Sequence, residues 1–525
     1  MKSHKLFTLA LAGTLAVATS CKKDLLNQTN PNTIPVTQYW MSADDANRGV
    51  IACYSGIQQY GVYGHSWQFM AARSDESYSQ SPFVELAVFT RFIQTNNNFF
   101  ISAFAWNDYY RTIYRCNQAL NHIPTITMDA TLKAQYIAEA KFVRALMYYD
   151  LDSFFGNVPL ILEDPSVTTR VQQATPAQVE AQVIADLQAA IPDLPTNYSS
   201  AALGRVTKGA AQALLAKMYM QQHKYTEASA LFTSIIGSGR YSLVANYLDN
   251  FTDSNENNSE SLFEVQYVAT PLEVGQGQDI ASASESYDRP NFFGPPVASY
   301  ADVQPRQWLT AAYTDSTLAN APGSNTKHMI DPRRDVSIIS ARNPGIFYGF
   351  TFQQFGYDAT QQYWRKYLND RNPNLFFKAD ANGRPLPGTG GENLSSGINF
   401  RIIRYADILL LQAEALNELG QTATAVPLVN QVRARVGLAP VAAANYNQAS
   451  LRLYMREERG RELAGEGQRW YDILRWGLLD DQTGLNYLIA RDTDFTNFVL
   501  GKSKLLPIPQ TDIDIDHTIK QNPGY

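Results

Sequence analysis

Residues 208–236, KGAAQALLAKMYMQQHKYTEASALFTSII, and 405–433, YADILLLQAEALNELGQTATAVPLVNQVR, align without a gap at an offset of 197 positions. Ala216 falls on Ala413, Tyr219 on Leu416, Ala228 on Ala425 and Phe232 on Val429. Each copy reads as two helices, with small residues through the first and an alanine followed by a bulky residue in the second. Small residues let paired helices approach closely, but one pair cannot bury its own outer faces, so the copies must stack on further pairs. Helical periodicity predicts helices at 43–60, 106–122, 130–154 and 176–190 as such partners, and at 207–222 and 225–236 for the first copy itself. Ser42 and Thr175 are the predicted N-caps, the latter with Pro176 at the first helical position.

The alanine spacing resembles the tetratricopeptide pattern. The expected fold is mainly α: a tetratricopeptide-like helical-repeat scaffold with a large loop-rich, aromatic-rich insert containing short strands. The insert separates the two repeats and spans 237–398. ESLFEVQYV (260–268) reads as a short strand; beyond it lie SYDRPNFFGPP, RNPGIFYGFTFQQFGYD and QQYWRKY, rich in Gly, Pro, Asn and rings. So many aromatics argue for an ordered lobe rather than a disordered one. The expected division is therefore 37–236 as a first helical region, 237–398 as the insert, and 399–525 as a second helical region with an extended capping tail.

The chain opens MKSHKLFTLALAGTLAVATSC, with Lys2 and Lys5 before an apolar run from Leu6 to Val17. That run is shorter than the roughly 20 residues that span a bilayer core, and its layout predicts an export signal over 1–20. Ala18-Thr19-Ser20 before Cys21 resembles a bacterial lipoprotein cleavage site, although Ser20 stands where Gly or Ala is commoner. A lipid on Cys21 would anchor the mature chain to a membrane, with 21–36 as tether. The simpler alternative is a secretory signal with an incidental cysteine. Cys53 and Cys116 are spaced for neither a CxxC motif nor a zinc site and read as buried thiols, with a disulfide between them as the alternative. The formal charge of −6 offers no electrostatic footprint for nucleic acid, and it becomes −8 once Lys2 and Lys5 are removed.

Motifs for catalysis and metals fail on inspection. The six histidines contain no i,i+4 pair, and no GxSxG is present. GKS at 501–503 follows Thr496, where a phosphate-binding loop needs glycine. DSNENNSESLFE (253–264) places Asp253, Asn255, Asn257 and Glu264 at calcium-loop positions, but Asn258 replaces the turn glycine. No cofactor or metal is expected. Asp407 and Glu414 lie seven residues apart, about 10.5 Å along a helix axis, whereas inverting glycosidase pairs stand ~6.5–9.5 Å apart across a cleft. Arg404 lies one turn before Asp407, in ion-pairing range. REERGRELAGEGQRWYDILRWG (456–477) interleaves Arg456, Arg459, Arg461, Arg469 and Arg475 with Glu457, Glu458, Glu462, Glu466 and Asp472. Such balanced charges predict a partly buried structural network of Arg404, Asp407, Glu414, Arg459, Glu462, Glu466, Arg469 and Asp472.

RYADILLLQAEALNELG, NQVRARVGL, REERGRELAGEGQRWYDILRWG, LLPIPQTDI and the terminal QNPGY resemble the C-terminal signature of the SusD/RagB family. AEAKFVRALMYYDLDSFFGNVPLI (138–161) and GRVTKGAAQALLAKMYM (204–220) resemble its N-terminal half. The resemblance implies a non-enzymatic, lipid-anchored outer-membrane protein facing the cell exterior and built on four tetratricopeptide-like pairs. It also implies a role as lid over a SusC-like TonB-dependent transporter, delivering oligosaccharides or, in some members, peptides. Family ligand contacts vary, so the candidates come from chemistry: sugar rings need aromatic platforms with polar groups beside them. Residues 66–83 offer Trp67, Arg73, Asp75 and Tyr78; residues 286–296 offer Tyr287, Asn291, Phe292 and Phe293; Trp364 is a further platform. Trp308, Trp470 and Trp476 are assigned to packing. The rival readings are an oligopeptide-binding lid, a glycoside hydrolase and an envelope-assembly scaffold.

Overall fold

Helix α1 (Ala43–Ile57) starts at Ser42, whose side chain accepts from the Asp45 amide while Asp45 reaches back to the cap, a reciprocal capping box. The computed structural model describes residues 39–80, 84–94, 100–163, 171–269, 285–313, 330–342, 345–392 and 396–525. The predicted signal, the tether and Cys21 lie outside the described residues. The other principal helices are α2 (Phe100–His122), α3 (Ala130–Phe155), α4 (Pro176–Ala190), α5 (Lys208–Gln221), α6 (Tyr225–Gly237), α7 (Tyr405–Glu418), α8 (Thr422–Arg435), α9 (Gln448–Leu463), α10 (Gln468–Arg475) and α11 (Gln510–Ile515). Thr175 caps α4 with Gln178 in the same reciprocal way, and Pro176 occupies the first helical position.

The helices pack as pairs α1/α2, α3/α4, α5/α6 and α7/α8, and each pair lies against the next. The aligned Ala216, Ala413, Ala228 and Ala425 are all sealed from solvent, as are Phe232 and Val429. This is the stacked-repeat scaffold that the alanine spacing predicts. Helix α9 closes the far side against α7 and α8. Among the described residues, no helix is long and apolar enough to cross a membrane. Cys53 on α1 and Cys116 on α2 are free, buried thiols; burial and the Cys53 side chain push Cys116 well up.

The insert contributes short strands β1 (Ser261–Val265), β2 (Ile338–Ser340) and β3 (Gln362–Trp364), and β4 (Phe400–Arg404) follows directly after it. Strand β1 pairs antiparallel with β4, Phe400 opposite Val265 and Arg401 opposite Glu264, so the segment between them leaves and rejoins the scaffold at one place. Glu264 of the calcium-loop-like stretch therefore belongs to a strand and pairs with Arg401 at 3.2 Å. Much of the insert's aromatic content forms a small core of its own. Phe347, Tyr348, Phe350, Phe352, Tyr363 and Phe377 are buried together, separate from the main core.

Three local expectations need correction. The second helix begins at Phe100, six residues before the predicted start. The tail is extended only to Pro509 and then folds into α11. Arg404 and Asp407 do not pair, because the helix starts at Tyr405 and Arg404 ends a strand in extended conformation. Helical spacing does not apply across that junction. Arg404 instead binds Glu260, Glu462 and Glu466 at 2.6–2.7 Å. Asp407 binds Lys217 at 2.6 Å and Arg459 at 2.8 Å. Arg459 also holds Asp472 at 2.8 Å, and Arg475 joins Asp472 to Glu414. Burial alone would raise the Asp407 pKa, but Lys217 and Arg459 outweigh it and hold it below the carboxylate range. A charged group buried this deeply persists only when paired.

Candidate functional site

Most of the rings and charges predicted for ligand contact are used inside the protein. Trp67 and Trp364 cover the turn between α9 and α10, where Gly465 and Gly467 have φ of +70° and +78°. A β-carbon at Gly467 would lie 2.2 Å from the Trp67 ring, and one at Gly465 would lie 2.8 Å from the Trp364 ring. Both indoles are sealed, and the Trp67 N–H donates to the Tyr471 hydroxyl at 3.0 Å. The tryptophans are there because the turn is made of glycine. They offer no face to a ligand.

The remaining predicted residues divide sharply. Arg73 is buried, its guanidinium 4.8 Å from the centres of Phe89 and Phe92; burial lowers its pKa to about 10. Asp75 is sealed and forms a two-pronged pair with Arg469, both bonds 2.7 Å. Tyr287 is buried against Tyr267 and donates to Gln68 Oε1 at 2.9 Å. Phe293 stacks on Phe69, and Asn291 is buried in the same short helix, Arg289–Phe293. Trp67, Arg73, Asp75, Tyr287, Asn291, Phe293 and Trp364 are thus core residues in this structure. Tyr78 is half-buried, bonded to Gln304 and covered by Arg306. Phe292 is also half-buried, and it leads to the site.

A strip of rings crosses the surface from Phe292. On one side Tyr300 lies 5.5 Å away and is 58% exposed. On the other, His65 meets Phe292 edge to face at 4.6 Å and stacks on Tyr60 at 4.1 Å. Tyr60 meets Phe104 at 5.8 Å, and Phe104 meets Phe100 at 5.2 Å. His65 is buried, with Nδ1 3.1 Å from Asp288 Oδ2, while Tyr60, Phe104 and Phe292 are each half-buried. The histidine forms the floor and the outer rings present their edges and faces. Burial and Asp288 push the Tyr60 hydroxyl pKa upward, so it remains protonated and able to donate.

Local backbone geometry explains the arrangement. Tyr60–Gly64 is a single π-helical turn, with Val62 in non-helical conformation, and it projects Tyr60 and His65 from the end of α1. Gly61 must be glycine: a β-carbon there would lie 2.1 Å from the Phe104 carbonyl, and its amide donates to Asp108 at 2.8 Å. On the other side the Tyr300 amide donates to the Asn291 carbonyl, and the Asp302 amide to that of Phe292. Val297 in the connecting loop has φ of +72°, a costly conformation for a β-branched residue. Strain of this kind persists where surrounding structure demands a particular loop shape. Tyr60, His65, Phe104, Asp288 and Tyr300 escape the sequence reading; the glycines flanking VY in QYGVYGH are its only trace.

Fold and site together define a class: a stacked helical-repeat scaffold bearing a loop-built aromatic surface. The chain belongs to the SusD family, whose sequence pattern matches residues 259–525. A second pattern, described as starch-binding associating with outer membrane, matches residues 50–220. Two relatives from Formosa agariphila, SusD-like proteins P38 and P25, are 26% and 27% identical to this chain. The alignments cover 89% of this chain and 90% of P38, and 96% of this chain and 97% of P25. Among solved structures, a laminarin binding SusD-like protein is 27% identical with a TM-score of 0.70, covering 92% of this chain and 100% of its own. Surface glycan-binding protein A from Bacteroides fluxus is 25% identical with a TM-score of 0.72 and the same coverages.

Proposed function

We propose that the protein is a lipid-anchored cell-surface receptor, attached through Cys21, that captures oligosaccharides on the Tyr60–Phe104–Phe292–Tyr300 strip. We further propose that it passes them to a TonB-dependent transporter of the outer membrane. The strip of half-buried rings, joined through the buried His65 and ending in the exposed Tyr300, carries this reading. Pyranose rings stack their apolar faces on aromatic side chains, and the Tyr60 and Tyr300 hydroxyls supply hydrogen bonds at the rim. The glycan- and laminarin-binding relatives support the same ligand class. The carboxylates of α7 support a non-catalytic role, since Asp407 and Glu414 are both buried in ion pairs.

The test is a glycan array with the soluble chain beginning after residue 21. Binding to a neutral glycan is expected, and Phe292→Ala with Tyr300→Ala should weaken it at least about tenfold without moving the melting temperature. Failure to retain any glycan would refute the reading. Capture from native membranes tests delivery separately; recovery of no TonB-dependent transporter counts against that part alone.

A further inference from the structure

One cleft lies beyond the aromatic strip, between the middle of α2, the segment near Pro159 and Ile161, and helix α11. Its volume is about 460 Å³, and its lining includes Trp106, Asn107, Tyr110, Arg111, Asp512 and Asp516. Trp106 and Tyr110 pack at 4.9 Å and form its apolar wall. The Trp106 N–H donates to Asp512 Oδ1 at 3.3 Å, fixing a carboxylate beside that wall. Burial pushes the Asp512 pKa above the usual carboxylate value. A volume of this size suits a small sugar, since ligand pockets run from roughly 300 to 1,000 Å³.

The cleft and the strip are built on the same helix, α2. Phe100, Phe104, Asn107 and Arg111 follow one another at helical spacing and share one face of α2. The first two belong to the strip and the last two line the cleft. The stripe runs about 16 Å along the helix at ~1.5 Å per residue, longer than one sugar ring. Arg111 does not make the cleft basic, because it is bonded to Asp108 at 2.8 Å. Asp512, held by the Trp106 N–H, places a carboxylate at its rim. Carboxylates accept bonds from sugar hydroxyls and repel uronates and sulfates.

We infer that this cleft is a second subsite, taking the far end of a neutral oligosaccharide whose other end lies on the strip. The inference rests on the strip being a glycan site. Ligands should be chains of several neutral residues; a disaccharide reaches only one of the two places.

The experiment is calorimetry of the soluble chain with laminari-, malto-, cello-, xylo- and mannohexaose, each beside its disaccharide, and with oligogalacturonate. The hexaose that binds should be at least about tenfold tighter than its disaccharide, and oligogalacturonate should not bind. Asn107→Trp, which puts bulk over the cleft mouth, and Asp512→Asn should each reduce hexaose affinity several-fold to tenfold and leave disaccharide affinity unchanged. A fluorine signal from 5-fluorotryptophan at position 106, assigned with Trp106→Phe, should shift with hexaose alone. Loss of binding in Phe292→Ala with no effect of Asn107→Trp or Asp512→Asn would overturn the cleft and leave the strip standing. A wild-type chain that binds no member of the panel would overturn both.

Discussion

Arg459 holds two carboxylates at once, Asp407 from α7 and Asp472 from α10, and none of the three reaches solvent. Replacing it with Met keeps most of the volume, but it takes a buried cation from both partners, leaving Asp407 with Lys217 and Asp472 with Arg475. Arg459→Met should therefore cost roughly 3–5 kcal/mol, seen as a lower denaturant midpoint at neutral pH. Glu76 presents the opposite case. Burial pushes its pKa from 4.5 to about 8, despite the nearby Arg469. Between those values the folded state keeps a proton that the unfolded chain has released, so stability falls as pH rises through the window. Glu76→Gln removes that dependence. It should match the wild type near pH 4.5 and exceed it near pH 9 by up to roughly 4 kcal/mol, measured by denaturant titration at each pH. An unchanged difference across that range would refute the assignment. Residue-level site chemistry was poorly legible in the sequence. An indole that covers a glycine turn, such as Trp67 over Gly467, has the same sequence appearance as one that covers a sugar.

Elements were far more legible, because periodicity and caps act locally. Four predicted helices, starting at Ala43, Ala130, Pro176 and Tyr225, begin where the sequence places them, and two carry reciprocal capping boxes. Thr175→Ala removes the side-chain acceptor for the Gln178 amide and should destabilise the protein by about 1 kcal/mol, with helix content unchanged by circular dichroism. What the sequence conceals are elements defined by partners. The π-turn at Tyr60–Gly64 exists because Gly61 lies against the Phe104 carbonyl, a contact made across 43 positions of sequence. The early start of α2 at Phe100 likewise places Phe100 and Phe104 in the ring strip, where tertiary contacts override a weak local pattern. Tyr300 lies four residues beyond the SYDRPNFFGPP stretch, brought back to Phe292 by backbone bonds that no side-chain pattern announces.

At the scale of the whole molecule, the insert is bound into the scaffold by charge. Arg333, within the insert, is fully buried and pairs with Asp331 at 2.6 Å and with Glu458 and Glu462 of α9 at 2.8 and 2.9 Å. Lys366, also from the insert, binds Glu466 at 2.7 Å. The same Glu462 and Glu466 receive Arg404 from β4, so insert and repeat share a single network. Sequence position suggests a removable excursion between paired strands; electrostatics makes it an integral part. Replacing residues 286–392 with a short Gly-Ser linker withdraws Arg333 and Lys366 together and leaves buried glutamates short of cations. Glu462 and Glu466 keep Arg404, but each loses a buried partner, and breaking such buried pairs costs roughly 3–5 kcal/mol apiece, a large share of the 5–15 kcal/mol that holds a typical domain. The shortened chain should lack a cooperative thermal transition, whereas full-length Arg333→Met should fold with a lowered melting temperature. A shortened chain that melts sharply, with the helical signal of the parent scaffold, would show that the repeats stand without the lobe and that the shared network is dispensable.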